Sequence, residues 1–219
     1  MTDEEKYKIM AAQLRKPSGN EGLATADWMS NLNYHIIHDT LKILNAGTND
    51  FILEIGMANG YYVKEILERS ETIRYTGLDF SELMVFEARK LNARWIEAGS
   101  ARFIHGDVNT TKFADDTFDK IFTVNTIYFW EEEKSMLQNL SRILKPGGEF
   151  ITAFRPKHQS EKFPFTKYGF KQYSLAEAAN LLVVNGFNIV DQIENQEPGF
   201  DMDGQILNLQ NNILVAVKS

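Results

Sequence analysis

The stretch "FILEIGMANGYY", Phe51 to Tyr62, decides the fold. An apolar run carries one carboxylate, Glu54, and then meets Gly56 and Gly60, with Met57, Ala58 and Asn59 between them. The run has the length and composition of a strand, and the residues after the second glycine read as the start of a helix. In a doubly wound sheet, ligands bind beyond the carboxyl ends of the strands, where the strand order reverses. Glycine at positions 56 and 60 permits a sharp turn and close approach of a ligand to bare backbone. The dinucleotide fingerprint G-x-G-x-x-G would need glycine at position 58 and a small residue at position 61, where the chain has Ala58 and Tyr61. A pyrophosphate cradle is therefore disfavoured. A plain strand-to-helix turn with no ligand remains the alternative.

Outward from this stretch, strand-like and helix-like runs alternate. Strands are expected at Phe51–Ile55, Ile73–Leu78, Arg102–Ile104, Lys120–Val124, Glu149–Phe154, Asn188–Ile193 and Ile213–Val217. Helices are expected over Tyr61–Arg69, Glu82–Ala98 and Glu131–Leu144, and after Ser174, which with Glu177 forms a capping-box pair. This order argues for a parallel sheet covered by helices on both faces. The segment up to about Ala46 reads as two helices broken at "RKPSGNEG" by Pro17 and Gly19.

Carboxylates recur at the strand tips. Asp79 ends "YTGLDFS", nineteen residues beyond Gly60, where an acidic side chain can accept from both hydroxyls of a ribose. Helix capping by Asp79 or Ser81 is the other reading, and both could hold, with Ser81 as cap and Asp79 free for the ribose. Asp107 ends "FIHGDVN", where it could accept from an adenine amino group. Glu54, Asp79 and Asp107 without cysteine or a well-placed histidine make a poor metal cluster, so no metal is expected.

The series "LEIGMANG", "YTGLDFS", "GDV", "FDKIFTVNTIYFW", "LKPGG" and "GFNIVD…NILVAVKS" resembles class I S-adenosylmethionine-dependent methyltransferases, from about Asn49 to the end of the chain. The opening "QLRKPSGNEG…WMSNLN" resembles a bacterial small-molecule subgroup of that superfamily. The resemblance implies a Rossmann-like α/β fold: a doubly wound, mostly parallel seven-stranded sheet with an antiparallel last strand, helices on both faces and an N-terminal helical cap. One domain is expected, with the cap at 1–46, a cofactor-binding core at 47–154, a lid-like insertion at 155–173 and a C-terminal helix and strand pair at 174–219.

The resemblance further implies S-adenosyl-L-methionine as cofactor. Glu54, Gly56, Met57, Ala58 and Gly60 would line its methionine part, and Asp79 would hold the ribose. Phe80 and Met84 would pack on the adenine, unless they are core residues of a helix face. Gly106, Asp107 and Val108 would read the adenine edge. Asn125, followed by Thr126, would offer its carbonyl to the amino group. Ala58 departs from the glycine that many members carry there, and its methyl fits if φ stays negative.

Methyl transfer is an in-line displacement that needs an aligned nucleophile and exclusion of water, and a base only where the nucleophile must lose a proton. Candidate catalytic groups are Tyr128, His35, His38 and His158; solvated surface histidines are the bland reading of His35 and His38. Tyr128, Trp130, Phe163, Phe165 and Tyr168 are candidates for the acceptor pocket. From Arg155 to Lys171 the formal charge is +4, in a chain of 219 residues with net charge −7. That segment, with Arg15 and Lys16, could form a basic, aromatic cap over an anionic or partly aromatic acceptor, or a solvated loop.

The acidic balance argues against nucleic acid or anionic membrane as partner, and a small molecule is the expected acceptor. No basic-then-apolar leader opens the chain, no run approaches membrane-spanning length and there is no cysteine, so a cytoplasmic protein is expected. A homodimer is possible. Competing functions are a non-catalytic S-adenosylmethionine-binding domain and a nicotinamide-dependent oxidoreductase, the latter opposed by Ala58 and Tyr61.

Overall fold

Consecutive residues of the central strands bury their side chains on opposite faces, and this builds two cores around one sheet. The structure, a computed structural model, describes residues 1–202 and 205–218. On β1 (Phe51–Ile55), Leu53 enters one core while Ile52 enters the other. The pairs Ile121/Phe122 on β4 (Phe118–Val124) and Phe150/Ile151 on β5 (Leu144–Phe154) divide the same way. Strands buried on both faces read as continuous apolar runs, which is why 51–55 shows no polar alternation.

The remaining main-sheet strands are β2 (Arg74–Asp79), β3 (Ala101–His105), β6 (Phe187–Gln196) and β9 (Gln210–Lys218). Their order is β3-β2-β1-β4-β5-β9-β6, with β9 antiparallel to both neighbours and every other pairing parallel. The order reverses between β1 and β4, so the crevice beyond their carboxyl ends is the topological switch point. A hairpin of β7 (Phe200–Met202) and β8 (Gln205–Leu207), not anticipated from the sequence, lies between β6 and β9 in the chain. Residues 203, 204 and 219 of the expected C-terminal unit lie outside the described residues.

The N-terminal segment holds three helices rather than two: α1 (Asp3–Arg15), α2 (Gly19–Leu32) and α3 (Tyr34–Leu44). The additional break is at Asn33, whose carboxamide accepts from Asn125 Nδ2 at 3.0 Å and so ties the helix junction to the tip of β4. The helix expected over Tyr61–Arg69 is the shorter α4 (Val63–Leu67). The one expected over Glu82–Ala98 is split into α5 (Glu82–Leu91) and α6 (Ala93–Glu97) at Asn92. Asn92 is buried, and its Nδ2 donates to Ala88 O and Gly60 O, both at 3.0 Å. A short polar side chain that competes for helix carbonyls ends a helix, here while clamping the glycine turn.

Two more helices, α7 (Glu133–Ile143) and α9 (Leu175–Val183), pack on the sheet, and the expected Ser174–Glu177 capping box is present. The segment 155–173 is ordered into α8 (Lys157–Ser160) and a 3-10 turn, Pro164–Lys167. The Thr166 hydroxyl donates to Phe163 O, and Phe163 stacks on Phe165 at 5.5 Å. No helix among the described residues is long and apolar enough to cross a membrane.

Candidate active site

Two adjoining cavities open at the switch point. The first, about 410 Å³, is roofed by α2 and the α1–α2 connection and floored by the tips of β1, β2, β3 and β4. Every residue assigned to the cofactor from the sequence lines it: Glu54, Gly56, Met57, Ala58, Gly60, Asp79, Phe80, Met84, Gly106, Asp107, Val108, Asn125 and Thr126. Parallel pairing explains the convergence. Glu54 is opposite Gly77 on β2 and Phe122 on β4, and Asp79 is opposite His105 on β3, so the strand ends finish side by side.

The turn is tighter than the sequence suggests. Gly56 has φ +76°, and a β-carbon there would overlap the Thr126 methyl. Ala58 has φ +50°, not the negative value expected. Its amide donates to Asp79 Oδ2 at 3.0 Å, and that bond holds the alanine in a region L-residues avoid. Asn125 is also left-handed, at +56°. Two side-chain-bearing residues with positive φ thus border one cavity.

Asp79 is not free in the manner expected. Its Oδ1 accepts from Ser81 N at 2.8 Å and its Oδ2 from Ala58 N, while the Ser81 hydroxyl accepts from Met84 N as helix cap. Each carboxylate oxygen still has a second lone pair. Burial raises the Asp79 pKa to about 6, against the pull of those two backbone donors and of the charges of His105 and Lys16. Glu54 is pushed up to about 7 by burial, with the Tyr75 hydroxyl bonded to Oε2 opposing the shift and Asp79 adding to it. Two carboxyls on neighbouring strands, one half-buried and one buried, form a site prepared for positive charge.

The second cavity, about 290 Å³, lies beneath α1 and the 155–173 segment. Leu14, Met29, Asn33, Asn125 and Phe129 line both cavities and form the neck between them. Phe163 and Phe165 line the second cavity, as does Tyr128, whereas Trp130 lines the first. Tyr168 lines neither; it lies under the Lys8 ammonium, 5.5 Å from the ring centre. The Tyr128 hydroxyl donates to Asn125 Oδ1 at 2.9 Å and accepts from Arg155 N; burial pushes its pKa far up. It is a fixed donor, unsuited to act as a base.

The candidate histidines are elsewhere. His35 lines neither cavity; His38 bonds Tyr34 O and lies 3.3 Å from Glu65; exposed His158 meets Gln210 Oε1 at 2.7 Å. The basic groups of the expected cap are dispersed rather than gathered: Arg15 lines the first cavity, Lys16 lies 5.8 Å from the Phe80 ring centre and Arg155 lines the second cavity. Arg155 is paired with Glu197, Lys171 with Glu133, Lys157 with Glu177 and Arg15 with Glu131, while Lys162 and Lys167 are exposed and line neither cavity. Sequence reasoning gave no site role to Leu14, Met29, Ser30, Asn33 and Ile37, which the helical cap brings from far along the chain, although the first four fall within the quoted "QLRKPSGNEG…WMSNLN". Among the described residues no group of three or more acidic or histidine side chains could hold a metal ion.

Residues 52–148 match the methyltransferase domain family. The uncharacterized methyltransferase YdaC of Bacillus subtilis (strain 168) is 28% identical over 160 residues, covering 73% of this chain and 83% of the relative. Among solved structures, the methyltransferase complexed with the Trm112 activator in Haloferax volcanii superposes with TM-score 0.77 at 20% identity, covering 97% of both chains. A SAM-dependent methyltransferase from Aquifex aeolicus gives TM-score 0.70 at 18% identity, over 88% of this chain and 96% of that one. Over residues 52–148 the chain is thus similar to the methyltransferase domain family, and its fold is the one these S-adenosylmethionine-dependent methyltransferases share.

Proposed function

We propose that the enzyme methylates a small molecule, with the cofactor in the first cavity and the acceptor reaching it through the neck from the second. The carrying observation is the pair of carboxyls, half-buried Glu54 and buried Asp79, at the switch point of a cavity large enough for a nucleoside with an amino-acid arm. When bound, S-adenosylmethionine supplies an electrophilic methyl carbon and its own leaving group. The chain's residues then bind, orient and exclude water. Asp79 accepts from the ribose hydroxyls with its remaining lone pairs, and Phe80, Met84 and Val108 wall the adenine. Asp107 takes the adenine amino group. Glu54, ionised by an incoming cation, balances the charge of the methionine end, and Gly56 leaves room for it.

Asn125 sets the neck. Tyr128 and Asn33 bond its carboxamide from opposite sides, which fixes the left-handed turn at the neck, where the cofactor would be held against the acceptor. Alignment of this kind is where the acceleration of a displacement reaction arises. A net charge of −7 favours a small acceptor over a polynucleotide.

The test is turnover. Purified enzyme, S-adenosylmethionine and a panel of metabolites are incubated, and S-adenosylhomocysteine release is measured. Release that depends on one small compound supports the reading; release with RNA or protein alone would refute it.

A further inference from the structure

The second cavity differs in chemistry from the first, and its walls indicate what enters it. Its far side is aromatic and aliphatic, formed by Met10, Trp28, Phe163, Phe165 and Phe170. Of its polar side chains, Ser160 and Thr166 donate their hydroxyls to backbone carbonyls, Tyr7 and Trp28 stand on the helical side with their polar tips, and Asn33, Asn125 and Tyr128 gather at the neck. There the Tyr128 hydroxyl is spent on Asn125 Oδ1 and Arg155 N, and Asn125 Nδ2 is spent on Asn33 Oδ1. Within this chain of bonds the Asn33 amide NH₂ is the donor left to face a ligand. Arg155 is the one cation on the wall among the described residues, and it is already committed: to Glu197 as a buried ion pair, to Gln210 O at 3.0 Å and to Leu32 O at 3.2 Å. An anion entering this space would shed its hydration and find no uncompensated positive charge.

We infer that the second cavity accepts an uncharged aromatic molecule, with its ring body among Met10, Trp28 and Phe165 and its single polar end turned to the Asn33 amide at the neck. This inference rests on the small-molecule reading of the function and names the substrate class for it. Size agrees: a cavity of roughly 150 Å³ holds benzene without water, so the 290 Å³ here accommodates two fused rings. Asn33 is thereby a positioning residue that points the polar atom of the acceptor toward the first cavity.

Binding measurements test this independently of turnover. The probes are 2-naphthol, naphthalene and 2-naphthoate, titrated against the full-length protein with S-adenosylhomocysteine present and followed by ligand-observed NMR. The neutral alcohol should bind at least about tenfold tighter than the carboxylate of the same ring system, because the anion must be desolvated without a partner. Phe165→Ala should weaken 2-naphthol and naphthalene together, by about tenfold. Asn33→Ala should weaken 2-naphthol about fivefold and leave naphthalene unchanged, the signature of one hydrogen bond. The double variant Lys162→Gln/Lys167→Gln should alter none of the three.

Tighter binding of 2-naphthoate, or its loss in the double lysine variant, would overturn the inference. So would absence of 2-naphthol binding in protein that still binds S-adenosylhomocysteine. A metabolite panel that gave no turnover would strike the small-molecule reading instead, and these binding results would show which of the two had failed.

Discussion

The two cavities share a neck and are built on opposite plans. The first is the more polar of the two and is strained, assembled largely from the ends of four neighbouring parallel strands. The second is apolar and relaxed, assembled from α1, α2, the 155–173 segment and the stretch after β8. In the first, hydrogen bonds from Ala58 N and Ser81 N to Asp79 hold the loop in place before any ligand arrives. In the second, Phe163 stacks on Phe165, Phe165 meets Phe170, and Phe170 meets Phe129 and Tyr128. A site that must place a methyl group needs rigidity on the cofactor side. The acceptor side needs shape and dryness, and packed helices supply both.

The largest expected effect separates the two plans most sharply. Gly56→Val adds a branched side chain at φ +76° where even a β-carbon would overlap Thr126, so cofactor affinity should fall more than about a hundredfold. Binding of 2-naphthol should survive. Loss of both in a folded protein would show that the cavities are one cooperative unit.

The next effect is in pH. The native Glu54 and Asp79 carboxyls hold protons that the unfolded chain has released, since their pKa values of about 7 and 6 lie above ordinary carboxylate values. Stability from these groups is therefore complete in the acid range and is lost as pH rises through about 6 to 7. The ligand-free protein should melt several degrees lower at pH 8 than at pH 5.5, and saturating S-adenosylmethionine should flatten the difference. A melting temperature that rises over this range would contradict the assignment. Calorimetry in buffers of different ionisation enthalpy should also detect proton release when the cofactor binds near pH 6.5.

Asp79→Ala should weaken cofactor binding by about 1.5–3 kcal/mol, the range for hydrogen bonds to a charged group, and leave 2-naphthol binding intact. A change within error would reduce Asp79 to a support for the loop. The smallest effect is at Ala58. Ala58→Gly relieves a left-handed alanine and should stabilise the protein by about 1 kcal/mol, or roughly 2–4 °C at this chain length. No gain would mean that the Asp79 bond to the amide fully offsets the strain.

Much of the first cavity was legible because its residues are local in sequence. Glu54, Gly56 and Gly60 come within one strand and turn, and Asp79 and Asp107 each end the next strand along. Once the strands are parallel and adjacent, their tips must meet. The misreadings came where a tertiary contact overrode local pattern. The periodicity over 82–98 supports one helix, but Asn92 turns inward to Gly60 and divides it. Residues 19–44 likewise show no break in composition at Asn33, yet that side chain bonds to Asn125 beside β4, ninety-two residues away. The charge count over 155–171 suggested a basic cap, while each of Arg155, Lys157 and Lys171 found a carboxylate from a distant element.

What the sequence determined by itself is the sheet and the cofactor loop, because strand periodicity, turn glycines and acidic strand ends are set by near neighbours. The tertiary structure alone decided the backbone strain at Ala58, the commitment of Arg155 to Glu197 and the apolar character of the second cavity. Those depend on which distant side chains come into contact, and charge or hydropathy counted along a chain carries no record of the partner that will neutralise or bury it.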